Sequence, residues 1–336
     1  MRVLVTGASG FVGSHTTAAL VDAGHDVRIF VRNMEKTRSV YERLGLAVPE
    51  HVVGDIKDAD ACKEALSGCD SVVHAAAVVA LEKHRANEVL TTNSAAVRNV
   101  VGQAAEMGLR SIVHVSSVGA LFRPLVPVTP DSPVIPGENA YARSKSAAEI
   151  YARELQTAGA PLRITYPTGV IGPHDPAVSE ANRAVVTFIN DFMPYTSGGM
   201  QIVDVRDLAT IHARLVDAPA GAGRYIAGGT FHSFGDIGNL LEELTGQKLF
   251  RPYIPGWTLR LAGRICDVIK RFVEFELPIT KEGMIFATQW APADSSRTLE
   301  ELGFAFRDPI ETWADTIRSL QRNGHLDEKA IGKLAG

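Results

Sequence analysis

The sequence predicts an α/β protein: a doubly wound parallel sheet joined to a smaller, mostly helical C-terminal domain. Three observations predict it. Short, strongly apolar stretches alternate with helical ones through the first half of the chain. A glycine-rich turn stands directly between the first apolar stretch and the first helical one. Near Pro173 the alternation gives way to helical stretches with few strand signals.

Arg2-Val3-Leu4-Val5-Thr6 is short and apolar, as a strand covered on both faces must be. Residues 11–23 read as a helix, with Phe11, Ala18, Ala19 and Leu20 at its apolar positions. Further strands are expected at residues 27–31, 51–53, 71–74, 111–115 and 162–166, most of them separated by helical stretches. The first domain is therefore placed at residues 1–172. Val203-Asp204-Val205-Arg206-Asp207-Leu208-Ala209 is expected to bring the chain back to the sheet, so residues 200–230 are assigned to the first domain as well. The second domain then comprises residues 173–199 and 231–336, with helices at 233–245 and 309–320.

The chain has 336 residues, a hydrophobic content of 46% and a net charge of −4. This is an ordinary globular composition, enough for one large domain or two closely joined ones. Basic residues are scattered, so no nucleic-acid footprint is present. Cys62, Cys69 and Cys266 form an odd set without a CxxC pair, which fits a reduced, cytoplasmic protein with no metal site. The first strand begins at once and leaves no room for a signal peptide. No apolar run approaches the ~20 residues of a membrane span.

Gly7, Gly10 and Gly13 have the spacing of a Rossmann-type dinucleotide turn. The first allows the tight turn, the second lets backbone approach a pyrophosphate, and the third lets helix pack on strand. The turn Gly7, Ser9, Gly10, Phe11, Val12 and Gly13 is accordingly assigned to the pyrophosphate, with the N–H groups of the helix start facing it. Arg32 and Asn33 end the second strand, 19 residues past Gly13. An acidic residue there would hold the ribose hydroxyl of NAD; the guanidinium of Arg32 suits the 2′-phosphate of NADP, and Lys36 and Arg38 add charge nearby. NADP(H) is therefore favoured over NAD(H). Asp55 and Ile56 are placed against the adenine, and the small run Ala75, Ala76, Ala77 lets backbone pass close to the cofactor.

Tyr141 and Lys145 are four residues apart and share a helix face. A nearby ammonium favours phenolate and so is expected to lower the tyrosine pKa, and Lys145 is expected to bind the nicotinamide ribose as well, which counts Tyr141 and Lys145 among the cofactor-binding residues. Ser117, with Ser116 as its neighbour, is placed to hydrogen-bond a substrate oxygen on which charge develops. Asn93, on the helix before the fifth strand, is a candidate to hold a water that relays protons to Lys145.

These residues together resemble the extended short-chain dehydrogenase/reductase family, the epimerase/dehydratase group. The resemblance rests on Thr6-Gly7-Ala8-Ser9-Gly10-Phe11-Val12-Gly13, Gly54-Asp55, His74-Ala75-Ala76, Asn93, Ser116-Ser117, Tyr141-Ala-Arg-Ser-Lys145 and Pro167-Thr168-Gly169-Val170-Ile171-Gly172-Pro173. It covers about half the chain, with Val203 to Asp207 and Leu302-Gly303-Phe304 as weaker matches. It implies a catalytic triad at Ser117, Tyr141 and Lys145, and hydride transfer at the nicotinamide. It also implies that the carboxamide is held near Pro167, Thr168, Gly169 and Val170. Members commonly form homodimers through two long helices, here near residues 89–107 and 140–158.

Within the family, nucleotide-sugar dehydratases carry an Asp-Glu pair after the active-site Ser or Thr, whereas Val118-Gly119-Ala120 follows Ser117 here. The chain looks more like dihydroflavonol reductases and, less closely, 3β-hydroxysteroid dehydrogenases. The leading expectation is an NADP(H)-dependent oxidoreductase acting on a small-molecule ketone/secondary alcohol pair. One alternative is a nucleotide-sugar epimerase with tightly held NAD, using cations such as Arg251, Arg260 and Arg264. Another is a non-catalytic dinucleotide-sensing protein.

Substrate specificity is expected in the second domain and in the loop 122–139, whose five prolines suggest a stiff flap. Phe192, Met193, Tyr195 and Phe231 are candidate pocket residues. In residues 257–275, Leu261, Ile265, Val268 and Phe272 recur at helical spacing beside Arg260, Arg264, Lys270 and Arg271. The ordinary reading is a helix packed on its own domain with a solvated polar face; membrane contact is not expected.

Overall fold

The computed structural model describes residues 1–78, 85–137, 139–269 and 280–335. Its first half is organised by strands too apolar to leave either face in water. In β1 (Arg2–Thr6), Leu4 points into one core and Val3 and Val5 into another. The same alternation of period two splits Phe30 from Ile29 in β2 (Asp26–Val31), and Val72 from Val73 in β4 (Ser71–His74). It also splits Ile112 from Val113 in β5 (Ser111–Val115). With β3 (Glu50–Val53), β6 (Leu162–Pro167) and β9 (Gly223–Ala227), these strands form a seven-stranded sheet in the order β3-β2-β1-β4-β5-β6-β9. Every neighbouring pair is parallel.

Helices cover both faces. On one side α1 (Phe11–Asp22) packs against α8 (Val205–Asp217). The other face carries α3 (Ala59–Leu66), α4 (Ala86–Ala96) and α6 (Ala140–Thr157); α4 runs on through a π-helical stretch into the short α5 (Gln103–Glu106), and α2 (Met34–Arg43) lies between β2 and β3. The sheet order reverses between β1 and β4, which opens a crevice beyond their carboxyl ends, where such sheets bind ligands.

The second half contains more strand than its sequence signals. β7 (Gly169–Ile171), β8 (Gly199–Asp204) and β10 (Thr230–Ser233) form a separate three-stranded sheet, parallel between β7 and β8 and antiparallel between β8 and β10. β8 sets Gly, Gln and Asp among Met200, Ile202 and Val203, and β10 has Phe231 among Thr, His and Ser, so neither reads as a continuous apolar run. Around this sheet lie α7 (Glu180–Asn190), α9 (Phe234–Thr245) and α13 (Pro309–Arg322), with Val185, Phe188, Ile202, Phe234, Trp313 and Ile317 in one core. Between them in sequence come α10 (Gly256–Ile269), α11 (Lys281–Thr288) and α12 (Ser296–Leu302); α14 (Glu328–Ile331) closes the chain.

Val203 and Asp204 end β8 of the smaller sheet, and residues 205–209 begin α8, which packs on α1, β4 and β5. Asp204 caps that helix at the Arg206 N–H, and Arg206 reaches on to Asp315 of α13 at 2.8 Å. Arg307 donates to Asp207 at 2.9 Å, so paired charges join the two halves.

The structure divides one set of candidates and corrects another expectation. Met193 is core, 1% exposed, while its neighbour Phe192 and Tyr195 are exposed; Phe231 packs beside the core that holds Trp290. In α10 the apolar stripe faces outward: Leu261, Ile265 and Val268 are about half exposed, and the buried positions are Gly256 and Gly263. The physical reason is close approach. A Cβ on Gly263 would come 2.7 Å from the Thr280 carbonyl oxygen, so the thin face of the helix is the one that packs. Lys270, Arg271, Phe272 and the rest of the stretch to 275 lie outside the described residues.

Candidate active site

The glycine turn is shaped by contacts that no side chain could share. Gly7 has φ +74°, and a Cβ there would sit 2.7 Å from the Ala76 nitrogen and 2.8 Å from the Ala75 carbonyl carbon. A Cβ on Gly13 would lie 2.2 Å from the Gly7 carbonyl oxygen, and Gly10 donates its N–H to that oxygen at 2.8 Å. Gly10 begins α1 without a side-chain cap, so the N–H groups of the first turn, around Phe11 and Val12, are left for another partner. With Ser9 they line a cradle whose free N–H groups could hold an anion. Ala75 and Ala76 are half-buried and Ala77 exposed along the same edge. Thr6 ties this edge together: its hydroxyl meets His74 Nδ1 at 2.8 Å and accepts from the Ala76 N–H at 3.4 Å.

Arg32 stands exposed at the end of β2, followed by Asn33, which caps α2 by accepting the Lys36 N–H; Lys36 and Arg38 are exposed on that helix. Asp55 is half-buried, accepts the Lys57 N–H at 2.9 Å and pairs with the Lys57 ammonium at 3.6 Å. Ile56 is buried in the core behind it. Pro167 ends β6, and Thr168 is held by Ala227 and Gly228 through its N–H and hydroxyl, fixing the bend into Gly169 and Val170.

Tyr141 lies in the first turn of α6, whose start is capped by Asn139 accepting the Ala142 N–H at 2.8 Å. The amide of Asn139 also donates to Glu282 of α11 at 2.7 Å, so the second domain is fastened beside the tyrosine. The Lys145 ammonium is buried, lies 6.0 Å from the Tyr141 ring centre and donates to the Val115 carbonyl at 3.3 Å. Burial brings Lys145 down to about 8, against the pull of Glu149. Burial also pushes Tyr141 up to about 12, with the Glu180 charge adding to it. The lowering expected from Lys145 is not what the site gives: loss of water disfavours the phenolate, and the value rises.

The two serines separate. Ser117 is half-buried at the end of β5 and accepts the Gly119 N–H. Ser116 is buried and donates to Glu149 at 2.8 Å. Asn93 is buried, but its amide is committed to both backbone groups of Val78 and to the Ser144 hydroxyl at 2.9 Å. It faces the helix carrying Tyr141 and Lys145 through Ser144, whose hydroxyl in turn donates to the Tyr141 carbonyl.

Sequence reasoning missed several residues here. Glu149 follows Lys145 by one helical turn and Arg153 follows Glu149 by another, a spacing visible in the sequence. His74 and His114 stack with centres 5.4 Å apart beneath Lys145, both kept neutral by burial and secondarily by charged or protonatable neighbours that include Lys145. Their pairing follows from strand register, which places His74 opposite His114. At the start of the loop 122–139, Phe122 stacks on Trp290 at 5.4 Å and meets Phe286 at 4.9 Å.

The family model described as "NAD dependent epimerase/dehydratase family" matches residues 3–228. The chain is 28% identical to "Sterol demethylase protein B" of Methylococcus capsulatus, over 97% of this chain and 100% of that protein. It is 27% identical to a "Putative dihydroflavonol 4-reductase" of Synechocystis, over 96% and 95%. The solved structure of gox2253 superposes with a TM-score of 0.82 at 28% identity, covering 97% of this chain and 99% of that one.

Proposed function

The chain belongs to the NAD dependent epimerase/dehydratase family, and from that premise we propose that it is an NADP(H)-dependent oxidoreductase interconverting a ketone and a secondary alcohol. The observation that carries this reading is the buried Lys145 ammonium, 6.0 Å from the ring centre of the half-buried Tyr141 and bonded to the Val115 carbonyl two residues before Ser117. The relative named as a putative dihydroflavonol 4-reductase supports the reductive branch.

At neutral pH the phenol, raised to about 12 by burial, keeps its proton and can donate it to a carbonyl oxygen. Lys145, at about 8, is mostly ammonium there and offsets the negative charge left on the Tyr141 oxygen when its proton goes, while holding ribose hydroxyls. Ser117 donates a hydrogen bond to the substrate oxygen as negative charge grows on it. The dinucleotide, when bound, supplies or accepts the hydride. Its pyrophosphate is assigned to Gly7, Ser9, Gly10, Phe11, Val12 and Gly13, its 2′-phosphate to Arg32, its adenine to Asp55 and Ile56, and its nicotinamide end to Ala75–Ala77 and Pro167–Val170. Asn93 belongs to this reading as the buried support of the Tyr141–Lys145 turn. A cytoplasmic homodimer through α4 and α6 is part of the same proposal.

The test is a paired titration with NADPH and NADH, followed by nicotinamide fluorescence, then turnover on flavonoid and steroid ketones. NADPH is expected to bind more tightly, and Arg32→Asp to reverse the order. Tyr141→Phe is expected to lower turnover by roughly 10²–10⁴-fold with NADPH affinity unchanged. A fully active Tyr141→Phe enzyme would sink the mechanism, and protein purified with NAD firmly bound would move the search to nucleotide sugars.

A further inference from the structure

Glu149 is fully buried on the face of α6 that looks at the sheet. Its Oε2 accepts from the Ser116 hydroxyl at 2.8 Å. Its Oε1 accepts from the Tyr166 hydroxyl and from Arg153 Nε, each at 2.6 Å. Arg153 donates in turn to the Ser132 carbonyl of the flap at 3.1 Å and to the Tyr166 oxygen at 3.3 Å. One carboxylate thus joins the end of β5, the strand β6, the active-site helix and the flap. Ser116 directly precedes Ser117, and the carbonyl just before it, on Val115, is the one that receives Lys145.

We propose that Glu149 is a positioning residue of this site, fixing the end of β5 that carries Ser117 and holding the Lys145 ammonium in place from one helical turn below.

Packing alone gives a poor account of a carboxylate here. A buried ion pair gains little stability over apolar side chains of the same volume, because desolvation cancels much of the attraction. Its placement relative to Lys145 is what an apolar residue could not reproduce. The groups that face the ammonium are His74 from β4 and His114 from β5, both neutral, and Tyr141 on its own helix, held as phenol. Asn93 of α4 is uncharged and is turned to Val78 and Ser144. Glu180 of α7 acts on Tyr141, and Arg153, paired with Glu149, stands two helical turns from Lys145. Glu149 is therefore the anion that favours charge on Lys145.

The inference rests on the Ser117–Tyr141–Lys145 reading, and the experiment separates the two. NADPH affinity is measured from pH 7 to 10 for the wild type, Lys145→Met, Glu149→Gln, Glu149→Asp and the double variant Glu149→Gln/Arg153→Gln. Thermal melts establish which variants fold. The wild type should lose affinity in a step as Lys145 deprotonates, and Lys145→Met should lack the step. Glu149→Gln should move its midpoint down by about one pH unit. The double variant, which leaves no unpaired buried charge, should move it the same way, and Glu149→Asp should stay near the wild type. A wild type without the step, or a Lys145→Met that keeps it, overturns the triad reading and the inference together. A Lys145-dependent step that stays at the wild-type midpoint in every folded Glu149 variant overturns the inference alone.

Discussion

Helices α1 and α10 both pack through glycines, yet they place their apolar side chains oppositely. In α1, Gly13 meets the Gly7 carbonyl while Phe11 and Leu20 are buried. In α10, Gly263 meets the Thr280 carbonyl while Leu261, Ile265 and Val268 point outward. An apolar stripe at helical spacing thus announces a helix without announcing which face meets protein. In α1 the direction is fixed because the turn before it leaves one possible docking, against β1 and α8. In α10 the packed face is marked by Gly256 and Gly263, with Arg260 donating to Thr288 and Asp267 accepting the Lys281 N–H.

The largest test of this contrast is acid. The sheet half buries His15, His74, His114 and His212, all with pKa lowered mainly by burial: His15 to about 4, His74 and His212 to about 3, and His114 well below its usual value. A histidine whose folded pKa lies below its unfolded value of 6.5 contributes stability that is complete above pH 6.5 and is lost as the pH falls towards the folded value. By pH 5 each should have lost about 2 kcal/mol, together a large part of the roughly 5–15 kcal/mol of an ordinary domain. The melting temperature should fall steeply between pH 6.5 and 5, and His114→Phe should make the fall shallower. A melting temperature that is flat over that range would contradict the burial of these rings.

Next comes Gly13→Ala. Its methyl cannot coexist with the Gly7 carbonyl, so the cradle must open, and dinucleotide affinity should fall at least 100-fold, about 2.7 kcal/mol. Gly263→Ala meets a carbonyl too, but in a helix remote from the cradle. It should lower the melting temperature and leave dinucleotide affinity unchanged. Titration of both variants with NADPH decides whether the two glycines serve different ends.

Legibility in the sequence follows the same division. The seven-stranded sheet was readable wherever strands are buried on both faces, because runs such as Val3-Leu4-Val5 have few other uses. β9, Gly223–Ala227, came only as part of a broad return to the sheet; β7 escaped because it is three residues long, and β8 and β10 because their apolar residues are interrupted by polar ones. At the site, backbone demands were readable, since Gly7 and Gly13 admit no substitute. Side chains defined by a partner were not. Glu149 needs Ser116, Tyr166 and Arg153 to have a meaning, and those partners lie on a strand end, another strand and the helix's next turn. The tyrosine pKa went the other way from the expectation for a related reason: spacing reveals the ammonium one turn away, while the burial that raises the value is a property of the assembled domains.

Adjacent residues in the second half sharpen the point at smaller scale. Met193 is 1% exposed and Phe192 41% exposed, so their fates differ where composition would treat them alike. Met193→Ala should cost about 2–5 kcal/mol, from lost burial plus the cavity left among Val185, Phe188 and Trp313. Phe192→Ala should stay within about 0.5 kcal/mol. Urea denaturation of the two variants gives the comparison directly, and equal losses would mean that Phe192 is covered in solution.

The smallest expected effect falls on the outward face of α10. Leu261→Ser and Ile265→Ser remove side chains that are 47% and 50% exposed, so each should change stability by no more than about 0.5 kcal/mol. If the small face of the helix is the one that packs, these variants and wild type should melt together while Gly263→Ala melts lower. A loss of 2 kcal/mol or more at Leu261 or Ile265 would mean that the stripe is buried after all. Repeating the melts over a range of protein concentration would then locate the cover. A concentration-dependent difference requires a second copy of the chain, because only an intermolecular contact gains stability by mass action. A difference independent of concentration requires a cover within the chain itself.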